Sequence, residues 1–502
     1  MAIRLRYQLG VMLLLALMLP SRVSAMQVQG TAPTPGISAV FGSLITFATH
    51  AELESYGFSF GPSDGQFGAI PRGGGSYTFY GDAGSSSSCT GTRNVKGAFT
   101  FTGTLDHVTG SNGCTRLLGP GDGPAGWVFD NNYAGGGQVV RFQAGSNKGW
   151  LMSFHAEVWW QNPATSDHKC YVVGVSGSEV NCFYSSLGLA VSTDDGKTFK
   201  VVGQTLQPSQ PMSVFTGKGA NMAVGYGSLV VADANGRHLD NPPADPSGAY
   251  FYLFFTDLFP GLPGVCATAI CMGVARAPYA DVVTAATSGD PHKVAKMFNK
   301  YDGASPNPWT QPATSDTPDL SGTAGKYAPL WTDEPGGAEV IYDSSFNVYL
   351  AVYQSSAGIK VRASSDLIHW FGPIGAPYGE AGRTLYYPTL LGETGDPTIG
   401  GPAPRIYFSS FPTGSFPDYE TSIFESVQLK LSPQTPTSTA TSIGTSASSS
   451  GPVSGSTSTT EMLNSQYPLQ GANAVIMIAA VIIVVLLGGI FVLGRRRKNL
   501  AT

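Results

Sequence analysis

Charge is scarce in this chain: Asp, Glu, Lys and Arg make up only 12% of its 502 residues, against 64 glycines and 35 prolines. Long amphipathic helices need a steady supply of Glu, Lys, Leu and Ala, so a helical architecture is excluded for most of the length. The net charge of −5 leaves no basic footprint, which excludes nucleic acid as a partner. Several signatures of chemistry are also missing. There is no His-Glu-x-x-His helix, no Gly-x-x-x-x-Gly-Lys loop and no Cys-x-x-Cys pair with histidine pairs downstream. Their absence speaks against a zinc peptidase, a phosphate cradle and a cysteine-based metal site. No Asn-x-Ser/Thr sequon follows the first 25 residues, which disfavours a heavily N-glycosylated animal receptor.

What is present begins at the two ends. Arg4 and Arg6, the apolar run Val11 to Leu19, Pro20 and then Val23-Ser24-Ala25 have the layout of a secretory signal peptide over residues 1–25. Near the other end, residues 474–494 are uncharged and rich in Ile, Val and Leu. As a helix they would cover the roughly 30 Å of a hydrocarbon core. Arg495, Arg496, Arg497 and Lys498 follow at once, and such clusters stay in the cytoplasm. A cleaved glycolipid-anchor signal is the rival, and the basic end argues against it. Residues 431–470 are dominated by Ser and Thr with scattered Pro, the composition of a flexible stalk. The expectation is a single-pass protein of the cell membrane, with its N-terminal part outside and residues 495–502 as a cytoplasmic tail.

The working part then lies between about residues 26 and 430. Its six cysteines are an even number, consistent with an oxidising compartment. Sequential pairing of Cys89–Cys114, Cys170–Cys182 and Cys266–Cys271 is the natural expectation, though sequence leaves the connectivity open. Three strand pairs repeat one design: Trp150 to Phe154 with Gly188 to Ser192, Tyr250 to Thr256 with Gly273 to Ala277, and Asn347 to Tyr353 with Ile359 to Ala363. Each couples an aromatic-rich strand to one of small and β-branched residues. Their recurrence at intervals of ~70–100 residues suggests blades of an all-β propeller rather than a short-period solenoid. The propeller is expected over residues 121–430, with five blades. Residues 26–120 would either complete its last blade or cover it, with Arg405 to Leu431 supplying the rest of the closure.

Two turns are more specific. Ser192-x-Asp194-x-Gly196-x-Thr198-Phe199 resembles the Asp-box of sialidase-like propellers, with Phe in place of Trp. In such a turn the Asp folds onto backbone amides, the Gly takes a positive φ and the aromatic fills the space between strands. Ser364-Ser365-Asp366-Leu367-Ile368-His369-Trp370 resembles the corresponding turn of five-bladed glycoside hydrolases of the arabinanase and levansucrase type. That resemblance implies three carboxylates around the axis: a base or nucleophile, an Asp that tunes it, and a Glu acid. The chain lacks a Glu-x-Pro or Glu-Cys-Pro segment at the acid position, Glu334-Pro335 being the nearest echo.

Glycosidic cleavage needs two carboxyl groups facing one bond, one protonated and one ionised. The candidates for catalysis are Asp130, Glu157, Asp257 and Glu339. Asp130 ends an apolar run, with a turn-forming role as its alternative. His155 and Glu157 alternate on one strand face among aromatics, where burial is costly without a partner or a task. Asp257 closes the run Tyr250 to Thr256, with the start of a turn at the rim as its alternative, and Glu339 sits in a β-branched strand, with a solvent-facing place on an edge strand as its alternative. The candidates for substrate binding are His155, Trp159, Trp160, Arg276 and Arg362, the aromatics because sugar C–H groups stack on their faces. Asp333 and Glu334 look like loop acids. No cofactor is implied; an axial Ca²⁺ has oxygen ligands at hand, but no ligand spacing points to one. Two readings follow: a membrane-tethered glycosidase-like propeller acting on an extracellular glycan or glycoconjugate, or a non-catalytic propeller that binds glycan or protein at the surface.

Overall fold

Runs of Val, Ile, Phe and Tyr broken by Gly- and Asp-marked turns give short antiparallel strands, and among the described residues these gather into five sheets of four or five strands and one two-stranded ribbon, Lys169–Tyr171 with Glu179–Asn181. The computed structural model describes residues 36–61, 65–85, 96–111, 113, 115–161, 169–171, 179–216, 224–257, 271–331, 336–415 and 418–433. The expected signal peptide and membrane segment and nearly all of the expected stalk lie outside them, as do Cys89, Cys114 and Cys266. Among the described residues no helix is long and apolar enough to cross a membrane.

The architecture is a five-bladed β-propeller. Blade 1 runs from Gly68–Gly73, nearest the axis, through Ser76–Ser85 and Lys96–Gly103 to Val108–Ser111, with Phe58–Phe60 beside the second strand. Blade 2 is Val139–Ala144, Asn147–Trp159, Phe183–Ser192 and Lys200–Leu206; blade 3 is Val224–Asp233, Ala249–Asp257, Cys271–Pro278 and Asn299–Lys300. Blade 4 is Gly336–Asp343, Val348–Ser355, Gly358–Ser364 and Trp370–Phe371. Blade 5 is Arg383–Leu391, Arg405–Pro412, Ile423–Pro433 and, outermost, Ile37–Ala48 from the other end of the chain. That last strand pairs with Ile423–Pro433 and closes the circle. The three strand pairs expected from sequence are the second and third strands of blades 2, 3 and 4. The N-terminal part does more than either expectation, since it closes blade 5 and also builds the whole of blade 1.

Alternation along the strands sends side chains to both faces, and the gaps between blades fill with apolar cores. Tyr80 of blade 1 meets Phe199 of blade 2 edge-on at 5.5 Å, and Phe254 of blade 3 meets Trp370 of blade 4 at 5.8 Å. Both distinctive turns hold themselves together. Asp194 accepts from the Thr198 N–H at 3.0 Å, and Gly196 takes φ 76°. In the second, Asp366 accepts from the N–H groups of Ile368 and His369 at 3.0 and 2.8 Å. A disulfide joins Cys170 to Cys182, and Cys271 is also disulfide-bonded.

Candidate functional site at the axial mouth

The five inner strands begin at the same end, and two tiers of residues line the axis there. In the lower tier, a side-chain acceptor on each of four blades takes the backbone N–H of the next blade. Leu229 N–H donates to Gln138 Oε1, Val340 N–H to Ser228 Oγ (3.1 Å), Leu390 N–H to Glu339 Oε2 (3.0 Å) and Phe67 N–H to Thr389 Oγ1 (3.2 Å). The chain of links thus runs from blade 2 through blades 3, 4 and 5 to blade 1. Gln66 and Gln138 add crossings, donating to the carbonyls of Gly337 and Val340. Every acceptor in this ring is buried. Glu339 is fully so, and burial pushes its carboxyl well above the usual range despite the Leu390 N–H and the nearby Thr389 and Gln138 side chains.

Two residues earlier on three of these strands the backbone turns left-handed: Tyr226 at φ 60°, Gly337 at 53° and Tyr387 at 57°. Each sits in a break of strand register, between Gly225 and Ser228, Gly336 and Glu339, and Tyr386 and Thr389. A bulge there re-aims side chains toward the axis opening. Glycine adopts this backbone freely, but a tyrosine does so at a cost of order 1 kcal/mol or more. Strain of this kind clusters at active sites and ligand clamps, which makes this rim a candidate site.

The upper tier is aromatic and carries one hydrogen-bonded carboxylate. The His155 ring stacks on Tyr226 at 5.8 Å, Tyr226 meets Tyr387 at 5.5 Å, and Tyr387 meets Tyr386 at 5.8 Å. Tyr133 lies edge-on to His155 at 6.0 Å. Glu157 takes His155 Nε2 on one oxygen at 2.9 Å and Trp159 Nε1 on the other at 2.5 Å. Both His155 and Glu157 keep about a seventh of their side chains exposed, at 14% and 15%. Asn132 fixes this edge: its N–H donates to the Glu157 carbonyl and its Oδ1 accepts from the Trp159 N–H. A Cβ at Gly225 would lie 3.1 Å from His155 Nδ1, so a larger residue there would press on the stack.

The remaining sequence candidates occupy other settings. Asp130 is buried in the loop before blade 2, its carboxyl against Gly123, and burial raises its pKa to about 6. Asp257 lies at the end of the second strand of blade 3, near the fully buried Lys300 and the Tyr327 hydroxyl. Burial drives the Lys300 ammonium down to about 8 while the Asp257 charge opposes it, and Lys300 Nζ donates to the carbonyls of Gln207 and Gly325. Trp160 sits beside the disulfide, its N–H on the Cys182 carbonyl. Arg276 lies on the third strand of blade 3, its guanidinium 4.3 Å from the centre of the Trp309 ring and 4.7 Å from that of Tyr250. Arg362 holds the equivalent strand of blade 4 and donates to the Tyr353 hydroxyl at 3.1 Å. Of the nine candidates, then, the structure brings His155, Glu157 and Trp159 into one cluster.

Sequence reasoning passed over three members of this end of the molecule. Tyr226 lies in Gly225-Tyr226-Gly227 and Tyr387 precedes Pro388; glycine or proline inside a strand is a signal for a bulge. Asp82, on the second strand of blade 1, is the third. Its buried carboxyl accepts from the Gly136 N–H and packs against Gly65 and Gly135. The glycine run 135–137 was the available cue, since glycines also mark close approach of a side chain. Among the described residues no group of three or more His, Cys, Asp or Glu is placed to hold a metal ion.

No family model matches the chain, and no curated protein matches it. Solved structures do show likeness in architecture. A GH62 hydrolase in complex with xylotriose has a TM-score of 0.41 at 10% identity, covering 78% of this chain and 97% of that one. The catalytic domain of the Coprinopsis cinerea GH62 alpha-L-arabinofuranosidase gives 0.40 at 9%, covering 79% and 98%. A family 117 glycoside hydrolase from Zobellia galactanivorans gives 0.40 at 7%, covering 78% and 90%. At these values the likeness carries no argument of its own, and the fold stands on the strand pairing above.

Proposed function

We propose that this protein is a membrane-tethered extracellular propeller that acts on glycans by seating a sugar at its axial mouth. The observation that supports this reading is the Glu157 carboxylate, held by His155 and Trp159 on a rim of strained tyrosines. Sugar rings carry C–H groups that stack on aromatic faces, which Tyr226, Tyr387 and Trp159 supply. Their hydroxyls donate to a carboxylate, and a hydrogen bond to an ionised group is worth about 1.5–3 kcal/mol. Glu157 is pre-aligned for that task because two donors already fix its plane. Recognition is therefore the step this rim serves best.

Hydrolysis by the same mouth is the second reading. One observation favours it: Asp82 adjoins the mouth through Gly135, whose N–H donates to the His155 carbonyl, so a second carboxyl group borders the site. The test is a screen of the purified full-length chain against plant, microbial and host oligosaccharides, reading binding and product release together. Binding that falls at least tenfold in Glu157→Gln supports the mouth as the glycan site. Product release abolished in both Glu157→Gln and Asp82→Asn would select hydrolysis, and binding unchanged in Glu157→Gln would remove the mouth from consideration.

A further inference from the structure

A groove of about 760 Å³ opens between blades 1 and 2 at the end of the propeller opposite the mouth. Arg72 closes the first strand of blade 1 and Gly196 and Lys197 lie in the turn that ends the third strand of blade 2, which fixes that end. The wall is built by strand alternation. Tyr77, Phe79, Phe99 and Phe101 point to the aromatic core on one face of blade 1. Ser76, Thr78, Thr100 and Thr102 occupy the other face, where Thr78 pairs directly with Thr102. Two residues along the same strand from Thr78, toward the mouth, that face carries Tyr80, which fills the inter-blade gap against Phe199. Further out the gap stays open and its lining turns to hydroxyls, with Thr104, Thr109 and Thr115 continuing the rim.

The Arg72 guanidinium at the floor is satisfied, and Lys197 at the rim is exposed. Arg72 donates to Thr78 Oγ1 and Tyr80 Oη, each at 2.9 Å, and to Asp195 Oδ2 at 2.7 Å. A paired guanidinium shapes the groove without drawing an anion into it. Hydroxyl groups donate and accept alike, so a wall of threonines matches a ligand whose own surface is hydroxyls, while the threonine methyls meet ring C–H groups. The volume falls within the ~300–1,000 Å³ of ordinary ligand pockets. We propose that this groove is a second carbohydrate site, taking a short neutral oligosaccharide between the threonine face of blade 1 and the Gly196–Lys197 turn. It stands on its own geometry, apart from the mouth.

The test uses the full-length chain and neutral trisaccharides of glucose, xylose and arabinose as probes, followed by calorimetry and by ligand-observed magnetic resonance. The double substitution Thr100→Val/Thr102→Val removes two hydroxyls and keeps the shape of both side chains. Thr102→Phe blocks the groove, and matching thermal unfolding establishes that each variant folds. Loss of one of two binding events in both variants, with about tenfold weaker affinity in the valine pair, is the expected result. Tyr226→Ala should weaken the other event by about tenfold and spare this one. If all binding survives Thr102→Phe unchanged and all of it weakens in Tyr226→Ala, the groove holds only water and the proposal fails. If the groove variants alone abolish binding, the second site stands and the mouth reading falls.

Discussion

Two tiers of the same inner strands, two residues apart, have opposite characters. Gln138, Ser228, Glu339 and Thr389 are buried and link blade to blade. Tyr226, Gly337 and Tyr387 stand directly above three of them, in bulges, with backbone that two of the three residues adopt only under strain. The lower tier joins neighbouring blades; the upper tier presents rings and a carboxylate. An acid on an inner strand is therefore not a catalytic candidate by position alone, because one step along the strand decides between lock and site. Glu339 shows the point, as its carboxyl does for Leu390 what the Ser228 hydroxyl does for Val340.

The largest effect expected from this contrast is in the lower tier. Glu339→Ala leaves the Leu390 N–H without its acceptor and opens a cavity at the axis, a loss of about 3 kcal/mol or more in stability. Denaturant unfolding measures it, and a change below about 1 kcal/mol would dissolve the distinction between tiers. Upper-tier changes should act on binding instead. Tyr226→Ala should weaken glycan binding by about tenfold while stability moves by no more than about 1 kcal/mol, since relief of strain offsets the lost ring contacts. Equal loss of stability in both variants would show one continuous core.

Acidity sharpens the comparison further. The folded Glu339 carboxyl is raised, so its protonated form is the one folding favours. The stability it gives is present below the ordinary carboxylate range and fades as pH rises through the raised value. Glu339→Gln should keep the Leu390 hydrogen bond and flatten that decline, read as melting temperature against pH. Asp130 behaves in the same direction over a narrower window. Its pKa is raised from 3.8 to about 6, so stability should fall as pH climbs through that interval. Asp130→Asn should remove this small slope, and a slope that persists would place its origin elsewhere.

Much of the fold was readable because strand periodicity is written in residue types: aromatic and β-branched runs such as Tyr250 to Thr256 mark second strands whatever their surroundings. Blade 1 was passed over although Phe99 and Phe101 alternate with Thr100 and Thr102, because single aromatics spaced by threonines lack the aromatic-rich run that marked the other three pairs. In the site, His155 and Glu157 stood out because two ionisable groups among aromatics demand a reason. The axial ring was illegible because Gln, Ser, Glu and Thr share an acceptor and nothing else. Tyr226 and Tyr387 were missed because a positive φ belongs to the backbone, and no side chain announces it beyond a flanking glycine or proline.

The most direct measurement of the central claim is glycan affinity of the full-length chain for wild type, Glu157→Gln and Glu339→Gln, side by side by calorimetry. The account predicts that Glu157→Gln loses at least tenfold in affinity while Glu339→Gln binds as the wild type does. Full affinity in Glu157→Gln, with loss in Glu339→Gln, would contradict it and move the functional site from the mouth to the ring below.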